Sequence, residues 1–101
     1  MCGFTGWVDR QRATSAEVLQ ARVVAMANTL VHRGPDDSGS WVEPAVGLAL
    51  GHRRLSILDL SPLGHQPMHS SSGRYVTVFN GEIYNFKRLQ KELEQAGFSF
   101  K

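Results

Sequence analysis

A single cysteine in 101 residues excludes an internal disulfide framework and fits a reducing compartment. No apolar run approaches the roughly 20 residues of a membrane-spanning helix. The N-terminus also lacks the basic segment and apolar stretch of a secretory leader, so the expected compartment is the cytoplasm and no membrane partner is expected. Excess charge of one sign is scarce as well: 11 Lys and Arg face 9 Asp and Glu for a net charge of +2. No run of basic residues is interleaved with aromatics, so nucleic acid is not expected as a partner. At 42% hydrophobic and 20% charged residues, the length fits one small globular domain or part of a larger one, with a core of limited size.

The lone cysteine is residue 2, directly behind the initiator methionine in Met1-Cys2-Gly3-Phe4-Thr5-Gly6. Removal of Met1 would give one residue both a thiol nucleophile and a free α-amine. A free thiol and an α-amine titrate within about a unit of each other, so the amine can take the thiol proton near neutral pH. The competing reading is a frayed terminal residue with no role.

Periodicity predicts a short buried strand over Phe4–Val8 and a helix over residues 15–33, with Thr14 and Glu17 as a capping box. Leu19, Val23, Met26 and Leu30 form the helix's apolar face. His32 and Arg33 fall in its last turn, Gly34 in the left-handed position after it, and Pro35 ends it. A turn is predicted over Pro35–Ser40, then a hairpin from Trp41–Val42 and Val46–His52, followed by a second run at Leu55–Leu58. Residues 61–73 read as a loop, and Tyr75–Phe79 as a strand because nearly every residue is β-branched or aromatic. Asn85 can cap a last helix with Phe86, Leu89, Leu93 and Ala96 on one face, stopped by Gly97.

Besides Cys2, three constellations could carry chemistry. In Asn80-Gly81-Glu82, the Gly81 N–H and the Asn80 amide could converge on one oxygen as an oxyanion hole, although Asn-Gly is also the commonest hairpin dipeptide. In Gly51-His52-Arg53-Arg54-Leu55-Ser56-Ile57, an arginine among apolar strand residues suits a carboxylate, unless it is simply solvated on an edge strand. The stretch from His32 to Gly39 is explained by a helix stop and a turn. No metal site is expected: His65 and His69 are spaced i, i+4, but Pro67 between them prevents a shared helical face.

Taken in order, Cys2-Gly3, His32 to Gly39, the block from Gly51 to Asp59, the Gly64-His65-Gln66-Pro67-Met68 loop and Phe79-Asn80-Gly81-Glu82-Ile83-Tyr84-Asn85 resemble the N-terminal glutaminase domain of the asparagine synthetase family. That domain is a class II glutamine amidotransferase. The resemblance implies an α+β fold, the N-terminal-nucleophile hydrolase sandwich of two antiparallel sheets between helical layers. It further implies that residues 1–101 are the N-terminal portion of such a domain.

The resemblance also implies roles. Cys2 would attack the glutamine side-chain amide, Asn80 and Gly81 would form the oxyanion hole, and Arg54 would bind the substrate carboxylate. Leu55, Ser56, Ile57, Leu58 and Glu82 would line the glutamine pocket with Asn80 and Gly81. The implied partners are glutamine and an ammonia-accepting synthetase domain, with a homodimer as a further candidate. No cofactor is implied for this segment; ATP and magnesium would serve the synthetase domain, which these residues do not include. The same motifs would suit a relative with another ammonia acceptor in polysaccharide or secondary metabolism. They would also suit a non-catalytic fragment acting as a binding or dimerisation module.

Overall fold

In the computed structural model, which describes residues 2–56 and 62–100, the chain lays down β1 (Gly3–Val8), α1 (Ala16–Asn28), β2 (Asp37–Glu43), β3 (Leu48–Arg54), β4 (Met68–His69), β5 (Val76–Thr77) and α2 (Phe86–Gln95). β1, β3 and β2 form an antiparallel sheet in that order, and β4 pairs with β5 in a second, two-stranded antiparallel sheet. The expected α+β character is present, with the antiparallel sheets of part of an N-terminal-nucleophile sandwich.

α1 forms where Leu19, Val23 and Ala27 recur four residues apart, so one stripe of the helix is apolar and buried. That stripe packs on Ala49 of β3, with Trp7 and Val42 beside it. Burying each of the larger side chains is worth about 1.5–3 kcal/mol. Arg22 covers the outer edge of this core with its guanidinium 4.7 Å from the Trp7 ring centroid. Small residues let the helix approach the sheet: a Cβ on Gly51 would stand 3.2 Å from Ala27, Thr5 and Val23 atoms, and one on Gly3 would stand 3.2 Å from Leu30.

The helix departs from expectation at both ends. Its N-cap is Ser15, whose hydroxyl accepts from the Val18 N–H at 3.3 Å, whereas Thr14 gives its hydroxyl to Asp9 at 2.6 Å. The Asp9 carboxylate also accepts the N–H groups of Gln11, Ala13 and Thr14, so the connection organises itself around Asp9 and takes Thr14 out of capping. At the other end α1 stops at Asn28. Residues 29–33 continue as turns, with i→i+3 bonds from Thr29 to Met26, Leu30 to Ala27 and Arg33 to Leu30. Gly34 is not left-handed; its missing side chain lets this turn lie against the backbone of Arg53.

Strand assignments shift as well. Residues 37–40, predicted as part of a turn, pair with Arg54 through Gly51 as the first half of β2. The regular pairing of Tyr75–Phe79 is confined to Val76 and Thr77, because their partner contributes only Met68 and His69. β1 is only partly buried: the face turned away from α1 leaves Phe4 52% and Val8 58% exposed. On that same face lies the segment 62–69, with the His69 and Trp41 rings in a T-shaped contact at 6.5 Å between centroids. α2 starts after Asn85 as expected, but the Asn85 side chain makes no capping bond, and none of the helix is buried.

The tight approach at Gly34 has a measurable consequence. A methyl group there would meet the Arg53 carbonyl carbon and lie 2.6 Å from both the Arg53 oxygen and the Arg54 nitrogen, all of them backbone atoms that cannot rotate aside. Gly34→Ala should cost about 1–3 kcal/mol, the range for forced overpacking, seen as a lower urea midpoint. An unchanged midpoint would show that the turn yields freely.

Candidate active site

β3 is the central strand, so its alternation decides which side chains reach which face. Ala49 and Gly51 face α1, and Arg53 follows their parity, donating from Nε to the Gly34 carbonyl at 2.8 Å. His52 and Arg54 point to the other face, 1% and 8% exposed. The reading of a solvated arginine on an edge strand is therefore overturned, since β1 and β2 flank Arg54's strand on both sides. The Arg54 guanidinium lies against Gly64, where any side chain would collide with Cζ and Nη2.

Gly3 pairs with Arg53, and continuing that register by one residue sets Cys2 opposite Arg54. Cys2 is half-buried and not frayed. Its Sγ accepts the Leu55 N–H at 3.3 Å and lies 3.6 Å from the Leu55 carbonyl oxygen, to which the thiol donates. Leu55 is held in turn by Asp36. The Asp36 N–H donates to the Arg54 carbonyl at 2.9 Å, and its carboxylate accepts the Ser56 N–H at 2.8 Å. The turn after α1 thus braces the two residues on either side of the thiol's backbone partner. Ile57 and Leu58 lie outside the described residues.

Asn80, Gly81 and Glu82 form a second, exposed group. Neither Asn80 nor Gly81 has a positive φ, so the type I′ hairpin turn is excluded. Among the described residues the three make no hydrogen bond, and none joins them to Cys2. They follow Phe79, whose N–H donates to Gln66 Oε1 at 2.6 Å and whose carbonyl faces His52 Nε2 at 3.4 Å. The structure therefore brings Cys2, Arg54, Leu55 and Ser56 together, and ties the Asn80–Glu82 group to the same sheet face through His52.

Residues without a sequence-assigned role complete this face. His65 Nδ1 contacts Asp37 Oδ2 at 2.6 Å, and Gly39 leaves room for the His65 ring and the Gln66 carbonyl. Burial alone would raise the Asp37 carboxyl, but the hydrogen bond and charge of His65, helped by the Ser38 N–H and by Arg54, carry it below the ordinary carboxylate value. Asp36, His52 and Gln66 find their partners 20, 27 and 13 residues away, which no local pattern signals. A cavity of about 640 Å³ lies between residues 63–71 and the end of α2; it shares His65 with this face but is lined by none of the residues to which the sequence gives a catalytic or binding role.

The chain matches a family model described as a glutamine amidotransferase domain over residues 1–101. It is 41% identical to glutamine-hydrolyzing asparagine synthetase 3 of Bacillus subtilis (strain 168) over 102 residues, which is 99% of this chain and 16% of that protein. It is 39% identical over 100 residues to asparagine synthetase 1 of the same strain, again with 99% of this chain and 15% of the relative covered. Amidase chry2 of Gibberella zeae is 38% identical over 100 residues, 92% of this chain and 15% of that protein. The chain thus spans about a sixth of the length of these curated relatives. No solved structure matches it.

Burial of His52 makes the face sensitive to acid. Loss of water around the ring lowers its pKa below the ordinary 6.5, outweighing the Phe79 carbonyl and the Asp37 charge, which favour the proton; His65 and Arg54 oppose it. On acidification the unfolded chain takes up this proton first. The stability His52 contributes is therefore present above about pH 6.5 and lost as pH falls through its folded pKa. The urea midpoint should drop as pH falls below about 6.5, and His52→Asn should flatten that slope. An equally steep slope in the variant would assign the effect to another group.

Proposed function

The chain belongs to the glutamine amidotransferase domain family, and from that premise we propose that it hydrolyses the side-chain amide of glutamine with Cys2 as nucleophile. The observation that carries the proposal is the position of the Cys2 thiol, fixed on Leu55 and set in register beside buried Arg54. Binding and chemistry then share one sheet face.

With Met1 removed, the α-amine of Cys2 takes the Sγ proton and the sulfur attacks the amide carbon. The Asn80 side-chain amide and the Gly81 N–H are the proposed donors to the oxyanion. The α-ammonium returns its proton to the departing nitrogen as ammonia leaves. Water, with the amine again as base, then cleaves the thioester to glutamate. Arg54 receives the substrate carboxylate in a bidentate fork. Leu55 and Ser56 are the proposed pocket lining among the described residues, and Glu82 offers an acceptor to the substrate amino group.

In the full-length polypeptide the ammonia would pass to an ATP-dependent synthetase domain, where ATP and magnesium belong, and aspartate is the proposed acceptor. The kinship with asparagine synthetases supports that acceptor. Amidase chry2, whose name does not specify asparagine synthesis, is also similar, which favours keeping a second reading in which another acceptor is amidated. Ammonia-transfer assays with aspartate and with other carboxylates separate the two.

If the amine is the base, blocking Met1 removal in the full-length polypeptide should abolish glutamate release while folding persists. Cys2→Ser should be nearly inactive, because a hydroxyl is far harder to deprotonate than a thiol. Equal turnover with Met1 retained would sink the mechanism, and absence of glutamate release from the processed, unsubstituted protein would favour a binding module.

The two groups of site residues should separate in steady-state kinetics. Asn80→Ala should lower kcat by about 10²–10³-fold with little change in KM, because its donor acts on charge that develops in the transition state. Arg54→Lys should chiefly raise KM, since a point charge replaces a fork. Arg53→Ala should instead lower stability by freeing the Gly34 carbonyl. A larger KM effect from Arg53→Ala than from Arg54→Lys would overturn the assignment.

A further inference from the structure

Phe79 immediately precedes the Asn80–Gly81 pair, and both ends of its backbone are gripped by side chains from other segments. Gln66 Oε1 accepts its N–H at 2.6 Å, and His52 Nε2 faces its carbonyl oxygen at 3.4 Å. That carbonyl belongs to the peptide leading into Asn80, so His52 acts on the plane that aims the next residue. The two grips come from firmly placed elements. His52 is 1% exposed in the central strand, and Gln66 sits over Gly39 of β2, where a Cβ would collide with the Gln66 carbonyl. Beyond them, β5 ends at Thr77, and Asn80, Gly81 and Glu82 make no hydrogen bond among the described residues.

An oxyanion hole works only if its donors are in place before charge develops, and a misplacement of about 1 Å can cost on the order of 10²-fold in rate. We propose that His52 and Gln66 are positioning residues that hold Phe79 at both ends and thereby aim Asn80 and Gly81 at the substrate carbonyl. The inference rests on the glutaminase reading and adds two residues to it. With a carbonyl as its partner, the His52 ring carries a proton on Nε2, and the neutral tautomer with that proton suffices.

The test uses the full-length polypeptide with Met1 removed. Gln66→Met keeps the side-chain length and removes the acceptor, whereas Gln66→Glu restores an acceptor oxygen. Gln66→Met should lower kcat for glutamate release by about 10-fold or more with KM within about twofold, and Gln66→Glu should recover most of the loss. Alkylation of Cys2 by iodoacetamide passes through no oxyanion and should proceed at the same rate in every variant. If Gln66→Met fails to fold, His52→Leu against His52→Gln poses the same question, the glutamine retaining an N–H donor. Unchanged kcat, a KM that rises in step with the loss of kcat, or equally slowed alkylation would each overturn the positioning role while leaving the glutaminase reading intact. Absence of Cys2-dependent glutamate release from the unsubstituted protein would overturn both.

Discussion

A pleated strand can give each residue to only one face, and in β3 that restriction organises everything around the thiol. Small residues at 49 and 51 admit α1 on one side, and the same alternation sends His52 and Arg54 to the other. Because β3 is central, both of its neighbours shield these polar side chains from water, so each must be placed among polar atoms or suffer the cost of burial. Adjacent arginines thus divide their work by parity. Arg53 secures the turn after α1 through the Gly34 carbonyl, and Arg54 is left on the face where Cys2 emerges.

The segment that completes this face is not part of the β1–β3–β2 sheet, and its placement relies on side chains and on glycine. His65 reaches Asp37, Gln66 reaches the Phe79 backbone, and Gly39 and Gly64 provide the close approach those contacts require. Such an arrangement suits a binding site. The sheet supplies rigidity, and the loop can carry chemistry without satisfying a strand ladder of its own. Asp36 plays the corresponding part on the other side of the thiol, joining the helix-terminal turn to the Arg54–Ser56 backbone.

What could be read beforehand was whatever has a local cause. The apolar period of α1, the helix after Asn85 and the terminal position of Cys2 are local facts, and the structure retains them. The errors arose where a distant partner outvoted a local preference. Pro35, Asp36, Asp37, Ser38 and Gly39 have the composition of a turn, yet pairing with β3 draws residues 37–40 into a strand. Thr14 and Glu17 have the spacing of a capping box, but Asp9 competes for Thr14 and leaves the cap to Ser15. Tyr75–Phe79 has strong β propensity, and propensity cannot lengthen a partner strand of two residues. The Asn80-Gly81 dipeptide was ambiguous until its backbone conformation excluded the hairpin turn. The grips on Phe79 span 13 and 27 residues, and although His52 and Gln66 stand in two of the motifs, no local pattern pairs either with Phe79.

The proposed role of Cys2 makes conflicting demands, because a nucleophile's side chain must be held still while its own amine stays available as a base. The β ladder begins at Gly3, one residue after Cys2, so pairing fixes the neighbour without including the residue proposed to react. The thiol is restrained instead through its sulfur, by the N–H of Leu55, which also presents a donor to the charge that forms there on deprotonation. Leu55 can perform this task because Asp36 holds the residues on either side of it. Restraint therefore passes from the turn, through Leu55, to sulfur, and the Cys2 nitrogen, which Met1 removal would turn into the proposed base, stands outside the chain of hydrogen bonds that positions the thiol.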